Sequence, residues 1–531
     1  VFYCFASAAR RVVLIVSCLI VQGIDEIRHI IVASYSMPQI FIDTRGVSVS
    51  LRFTETSFFV EPTKHNGHAI TCYTGIFNYF NDVQHAGVPL RSVISANFAS
   101  GTVEVQYLAR SGKKSSLALA TAHGTVKEED RTRAKEWCQA LLLAAYQGAK
   151  PSKNLKVFVN PFGGQGKART TYASKVEPIF LAAGCTLDMP TDTTHSGHAL
   201  ELAREMKLEY DALVVVSGDG LIHEVLNGIY QHQHRDKAFC IPIAPIPTGS
   251  ANAMSLNLLG LQDGLDPCAA ALNVLKGQSL KVDLFSFTQA NLHRISFMSQ
   301  SIGLMADLDV ETEHLRWMGD TRFLVGYLRG VIARKSCPVE LSLKVVDQDK
   351  SHMMDALYAR RAGSLPSPSI SPSPPLSDGK KIDSPGSSHE EWTRFEKPIL
   401  WMFAGQGPFV GRSLMQFPVS IADDGLIDIA IQETASRMWF VSRRNLLRAM
   451  DGAEEGRVYW MNSNRYFKAS AYRARPLAPK GSLVIDGEEV PFQEFQVDVL
   501  HRLGTFLSPY PYYEPAFTVL DAEGKTRRAG V

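Results

Sequence analysis

Cysteine is scarce in this chain: eight in 531 residues, at positions 4, 18, 72, 138, 185, 240, 268 and 337. No two stand at metal-ligand or redox spacing. That argues against a zinc module or a disulfide framework, and for reduced thiols in a cytosolic chain. An excess of one charge is lacking too. The 55 Lys and Arg against 53 Asp and Glu leave a net charge of +2, so nothing global points to nucleic acid as a partner. A spanning apolar run is also missing, since a membrane helix needs about 20 residues. Val12–Val21 (VVLIVSCLIV), behind Arg10 and Arg11, falls short of that. It fits a signal-peptide core, but no small-x-small site follows it. A targeting segment, a surface anchor, and a stretch foreign to the native protein all stay open for residues 1–39.

The remainder is ordinary globular composition, 45% hydrophobic and 20% charged. A chain of this length is expected to divide into two or three domains. Residues 40–150 alternate apolar and polar positions in short runs (SVSLRF, VISANF, TVEVQYLA, SLALATA), the pattern of antiparallel strands. A helical stretch bearing Trp137, Leu141 and Leu142 follows. Strands closed by one such helix resemble a pleckstrin-homology-like module, and a plain accessory fold with no ligand of its own remains open. Residues 151–280 alternate strand and helix patterns, with one helix expected over Ala168–Ala183, which predicts a parallel α/β sheet. Residues 281–502 are mostly strand-like and predict a β-rich second domain, with helical pieces near Arg322–Arg334 and Arg437–Met450. Its insert, 362–391, carries four Ser-Pro pairs beginning at Ser367, Ser371, Ser373 and Ser384. Such a composition cannot bury a core and predicts disorder, either as a plain spacer or as sites for proline-directed phosphorylation. Residues 503–531 read as a polar tail.

The α/β region holds three glycine-bearing turns, each after a strand and before a helix. The first, NPFGGQGKA (Asn160–Ala168), offers backbone N–H groups and a helix N-terminus to an anion. It is not a Walker A loop, because Pro161 and Ala168 stand where that motif needs Gly and Ser or Thr. Nor is it a dinucleotide fingerprint, because Arg169 replaces the third Gly. The second, SGDGLIHEVLNG (Ser217–Gly228), puts Asp219 at the carboxyl edge of the sheet, where open α/β sheets bind ligands. Its flanking glycines leave room beside that carboxylate. Asp219 there can take a proton from an attacking hydroxyl or help hold Mg²⁺, or serve as a helix cap. The third, PTGSANA (Pro247–Ala253), brings small donors to another helix start. One such turn alone is commonly structural; three within about 100 residues suggest a phosphate site.

With TTHSGHA (Thr193–Ala199), these motifs resemble the diacylglycerol-kinase-type catalytic domain of lipid kinases, and most closely the sphingoid long-chain-base (sphingosine) kinases. The resemblance continues through GLMADLDVETEHLRWMGDTRF (Gly303–Phe323), ADDGLIDI (Ala422–Ile429) and VIDGEEV (Val484–Val490), and covers about 155–500. It implies a nucleotide-binding α/β domain joined to a β-sandwich, with the active site in the cleft between them. It implies that Asn160, Pro161, Phe162, Gly163, Gly164, Gly166 and Lys167 form the ATP-phosphate loop. Thr193, Thr194, His195, Ser196 and Gly197, with Gly249, Ser250, Ala251 and Asn252, would line the nucleotide. Asp219 matches the catalytic base, and Glu224 a nucleotide-site carboxylate. Ser217, Gly218, Gly220 and Asp309 match the acceptor side, with Asp309 receiving the sphingoid ammonium. Arg316 and Arg322 match phosphate-binding arginines, and Asp486, Gly487 and Glu488 return from the β-rich domain to the nucleotide. Ala251 stands where the family usually has glycine.

The expected activity is transfer of the ATP γ-phosphate to the primary hydroxyl of a sphingoid base, with ATP and Mg²⁺ as cofactors. The alternatives are a diacylglycerol or ceramide kinase, and a non-catalytic lipid or nucleotide sensor. Ser217 favours the amine-bearing substrate, because kinases of neutral lipids more often have Gly there. A lipid acceptor implies a cytoplasmic protein with a peripheral membrane surface as partner and no nucleic acid.

Overall fold

The structure is a computed structural model. It describes residues 39–63, 87–110, 112, 115–163, 166–188, 192–249, 252–311, 337–363, 392–395, 399–433, 452–517, 519–520 and 526–527. Residues 1–38, most of the Ser-Pro insert and both predicted helical pieces of the β-rich region lie outside them. The chain divides into two compact units between Gly148 and Ala149.

The first unit is a seven-stranded antiparallel sheet. Its first four strands, Gln39 to Pro89, form one meander, and its last three, Val93 to Thr125, form another. Asp43 opposite Thr125 joins the two. Helix α1 (Arg131–Tyr146) buries Ala134, Trp137, Cys138 and Leu141. The indole of Trp137 meets the ring of Phe53 edge-on, centroids 5.8 Å apart. These are the strands and closing helix expected for 40–150.

In the second unit, Ala212–Ser217 lies between Asn154–Val159 and Ile243–Pro247, all parallel, with Val214 opposite both Val157 and Ala244. Every residue of the central strand is buried. A continuous apolar run is what a strand covered on both faces requires. The helix expected over 168–183 is interrupted. A π-helical turn at Tyr172–Val176 separates Ala168–Thr171 from Glu177–Ala182. Pro178 is the reason: it has no N–H to continue the ladder, and its ring crowds the preceding turn. The next helices are α2 (His198–Glu205), α3 (Asp219–Gln231) and α4 (Ala253–Asp263).

The β-rich region is joined to this sheet. Phe495–Ser508 pairs antiparallel with Gln278–Gln289 and Asn464–Pro476, and meets the parallel strands at Ile243 opposite Phe506. Strands far apart in the order share one apolar core, including Phe285, Phe287, Ile302, Ile429, Tyr472 and Ile485, so the sheet curls over itself like a sandwich. Each such side chain contributes about 1.5–3 kcal/mol on burial. A second core packs α4, α5 (Leu304–Glu311) and α6 (Lys350–Arg361) against Trp401, Phe403 and Phe417. Residues 503–531 are not simply a polar tail. The strand runs to Ser508, and Tyr513 and Phe517 are buried beyond it.

Candidate active site

Val159, Ser217 and Pro247 end three adjacent parallel strands, so the three turns that follow emerge side by side. Asn160 N–H donates to Val216 O at 3.3 Å, and Thr248 N–H to Ser217 O at 3.2 Å. The glycines let these turns touch. A Cβ on Gly249 would lie 2.4 Å from both Cα and N of Gly218, so the second and third turns pass backbone to backbone. A Cβ on Gly163 would lie 2.7 Å from Ser217 Oγ. Gly218 lies against Gly249, and a Cβ on Gly220 would lie 3.3 Å from Glu488 Oε1.

Asp219 opens α3 and is 3% exposed. Its Oδ2 accepts from Ala253 N–H at 2.7 Å and its Oδ1 from Met254 N–H at 3.1 Å. It therefore caps the first turn of α4, a neighbouring helix, rather than its own. Burial pushes its carboxyl up to about 6, against the two N–H bonds that favour the anion; the nearby Asp486 adds a smaller upward push. A carboxylate poised near neutrality suits a general base. Glu224 does the same structural work on the other side: its Oε2 accepts from Ala199 N–H at 3.2 Å, in the first turn of α2. Glu224 thereby ties α3 to the turn at 193–198 that precedes α2.

A polar seam runs along α3 at every fourth residue: Asp219, His223, Asn227. Spacing of i, i+4 and i+8 puts them on one helix face. Asn227 takes the N–H of Ile295 on Oδ1 at 2.9 Å and gives Nδ2–H to Ile295 O at 2.9 Å. His223 Nδ1 lies 2.8 Å from Asp486 Oδ2. Asp486 also accepts from Ser296 Oγ and from the N–H groups of Phe297, Met298 and Ser299. With five donors on it, that carboxylate faces inward. Asp486 (φ 49°) and Gly487 (φ 89°) are the two central residues of the turn joining Leu483–Ile485 to Glu488–Val490. Positive φ at both is what a type I′ hairpin turn needs.

The remaining expected residues fall as follows. Asn160 Oδ1 accepts from Phe162 N–H at 3.0 Å and shapes the first turn around Pro161. Phe162 is 77% exposed, Gly166 has φ 71°, and Lys167 is exposed at the start of the helical stretch. Thr193 is buried and bonded to Val159 O through N–H (3.0 Å) and Oγ1 (3.3 Å). Thr194 N–H donates to His198 Nδ1, His195 stacks on His198, Ser196 is exposed, and Gly197 (φ 87°) caps α2. Asn252 closes the third turn, its Nδ2 donating to Gly249 O at 2.7 Å. Thr248 Oγ1 is buried with no partner among the described residues, a donor left over at the third turn. Gly164, Ser250, Ala251, Arg316 and Arg322 lie outside the described residues, as does the side chain of Asp309 on α5. The sequence reading missed His223 and Asn227. Their fourfold spacing from Asp219 in an otherwise apolar helix was the available signal.

A triad of phosphate-friendly turns at the carboxyl edge of a parallel sheet, with one buried carboxylate among them, defines a nucleotide-dependent phosphotransferase class. The comparisons narrow it. Residues 154–287 match the diacylglycerol kinase catalytic domain, and residues 42–147 match a domain of unknown function. The chain is 31% identical over 427 residues to sphingoid long chain base kinase 4 of Schizosaccharomyces pombe, covering 80% of this chain and 88% of that one. It is 29% identical over 437 residues to sphingoid long chain base kinase 5 of Saccharomyces cerevisiae, covering 71% of this chain and 62% of that one. Among solved structures, a putative diacylglycerol kinase from Bacillus anthracis aligns with a TM-score of 0.47 at 19% identity, over 70% of this chain and 98% of that one. The chain belongs to the sphingoid long-chain-base kinase family.

Proposed function

We infer that the protein is a lipid kinase that transfers the γ-phosphate of ATP to the primary hydroxyl of a sphingoid long-chain base. The observation that carries the chemistry is Asp219, held by Ala253 and Met254 N–H where the second and third turns meet. The acceptor oxygen attacks the γ-phosphorus, the bond to the β–γ bridging oxygen breaks, and ADP leaves with that electron pair. The acceptor's proton goes to the Asp219 carboxylate. Its two N–H donors fix the carboxylate's orientation while leaving further lone pairs free. The first and third turns, with Lys167 and the Thr248 hydroxyl, supply donors to the phosphates.

Mg²⁺ is bound typically by one or two carboxylates plus substrate phosphates. Glu488, whose carboxylate oxygen stands against Gly220, fits that need, and the ion would neutralise charge on the transferring phosphoryl group. Asp309 supplies the counter-charge for the ammonium that a sphingoid base carries and a neutral lipid lacks. Among the described residues no helix is long and apolar enough to cross a membrane. We propose that the lipid is taken from a membrane surface by peripheral contact.

The test is a substrate panel. Purified protein is given ATP with sphinganine, ceramide or diacylglycerol in mixed micelles, and lipid-bound phosphate is counted. Preference for sphinganine is expected. Preference for diacylglycerol would replace the substrate assignment, and ATP binding without transfer to any lipid would make the protein a sensor.

A further inference from the structure

His223 has no part in the chemistry above, yet it is buried one helical turn from Asp219 and bonded to a residue 263 positions away. Its protonation can be assigned from its neighbours. Asn227 Nδ2 spends its two hydrogens on the carbonyls of His223 and Ile295, each at 2.9 Å. His223 Nδ1 faces a carboxylate oxygen, an acceptor, so Nδ1 carries the hydrogen and donates to Asp486. Asp486 sits at positive φ (49°), a conformation unfavourable for an L-residue that persists where the surroundings enforce it. Four of its five donors come from the segment Ser296–Ser299. The fifth comes from α3. Two residues past Asp486, the Glu488 carboxylate stands against Gly220, beside the base.

We propose that His223 is a positioning residue for phosphoryl transfer: its bond to Asp486 fastens the 485–488 hairpin to α3 and so sets where Glu488 stands beside Asp219. This rests on the kinase reading, with Glu488 on the side of the site that receives metal-bound phosphate. Loss of the bond frees the hairpin to shift relative to α3 while leaving Asp219 and its two N–H donors in place. The consequence falls on nucleotide affinity more than on turnover.

Three variants decide it. His223→Ala removes the donor. His223→Asn restores one, since the Asn amide nitrogen takes the place of Nδ1. Asn227→Ala breaks the bonds to Ile295 and to the His223 carbonyl, and leaves the bond from the His223 ring to Asp486 in place. The expected result is a rise in KM for ATP of about tenfold in His223→Ala with kcat changed less than about threefold. His223→Asn returns KM to within about threefold of wild type, and Asn227→Ala lowers the melting temperature with KM unmoved. An unchanged KM in His223→Ala, no recovery in His223→Asn, or an equal rise in Asn227→Ala overturns the assignment. Turnover of sphinganine by wild type tests the kinase reading separately. Should wild type turn nothing over, the same ratios are read on ATP dissociation constants.

Discussion

Asp219 and Asp486 are equally buried, each 3% exposed, and they serve two ends of one seam. On the parallel-sheet side, Asp219 receives two backbone N–H groups. On the hairpin side, Asp486 receives five donors, three of them successive backbone N–H groups. Donor supply separates their roles. A carboxylate with every lone pair engaged is a fastener; one left short of donors in a dry site holds its proton more readily. Burial pushes Asp219 up to about 6. The same residue type thus builds a candidate base in one region and a structural anchor in the other.

The largest expected effect comes from removing the base. Asp219→Asn should lower kcat by about 10²–10⁴-fold while ATP affinity holds. Retained turnover would end the assignment of this side chain as base. The same group predicts a pH dependence. Asp219 takes up a proton as pH falls through about 6, so kcat should fall below that point with unit slope. Its stability linkage runs the opposite way from that of a paired carboxylate. The folded state binds this proton more tightly than the unfolded chain, so the contribution is full below about 4 and is lost as pH rises through about 6. The stability of wild type relative to Asp219→Asn should then fall by roughly 1–3 kcal/mol between pH 4 and pH 7.5. Urea melts at the two pH values check the sign.

The contrasting substitution is Asp486→Ala. It strands the donors of Ser296–Ser299 and His223 in the interior, and should cost about 3–5 kcal/mol of stability by urea denaturation. A loss below about 1 kcal/mol would show that water or a neighbour replaces the carboxylate, and the division between fastener and base would fail.

Much of this architecture was legible in the residues. Apolar runs such as Ala212–Val216 announce buried parallel strands, and the order of glycine turns places the site at their carboxyl ends. What stayed hidden is long-range partnership. Nothing local ties His223 to Asp486, or Asp219 to the start of α4 rather than of its own helix, because those contacts depend on how strands far apart in sequence pair. The Asp-Gly pair of VIDGEEV did carry a hairpin signal between short strand-formers. Read as turn chemistry, that pair marks the two central positions of the hairpin joining Leu483–Ile485 to Glu488–Val490. Likewise, Tyr513 and Phe517 looked like tail residues because isolated aromatics carry no periodicity.

The glycines give the finer contrast between the two regions. Gly249→Ala drives a Cβ to within 2.4 Å of the Gly218 backbone, which cannot turn aside. It should cost about 1–3 kcal/mol and displace Asp219 with it, lowering kcat. Gly220→Ala meets only the end of the exposed Glu488 side chain, at 3.3 Å, which can give way. Position 220 is in the first turn of α3, where Ala gains helix propensity of about 0.5–1 kcal/mol over Gly. The expected variant is therefore slightly more stable than wild type, keeps its kcat, and binds ATP a few-fold less tightly because Glu488 has been pushed from its place. A Gly220→Ala enzyme with wild-type ATP affinity would show that the hairpin's approach to α3 serves stability alone.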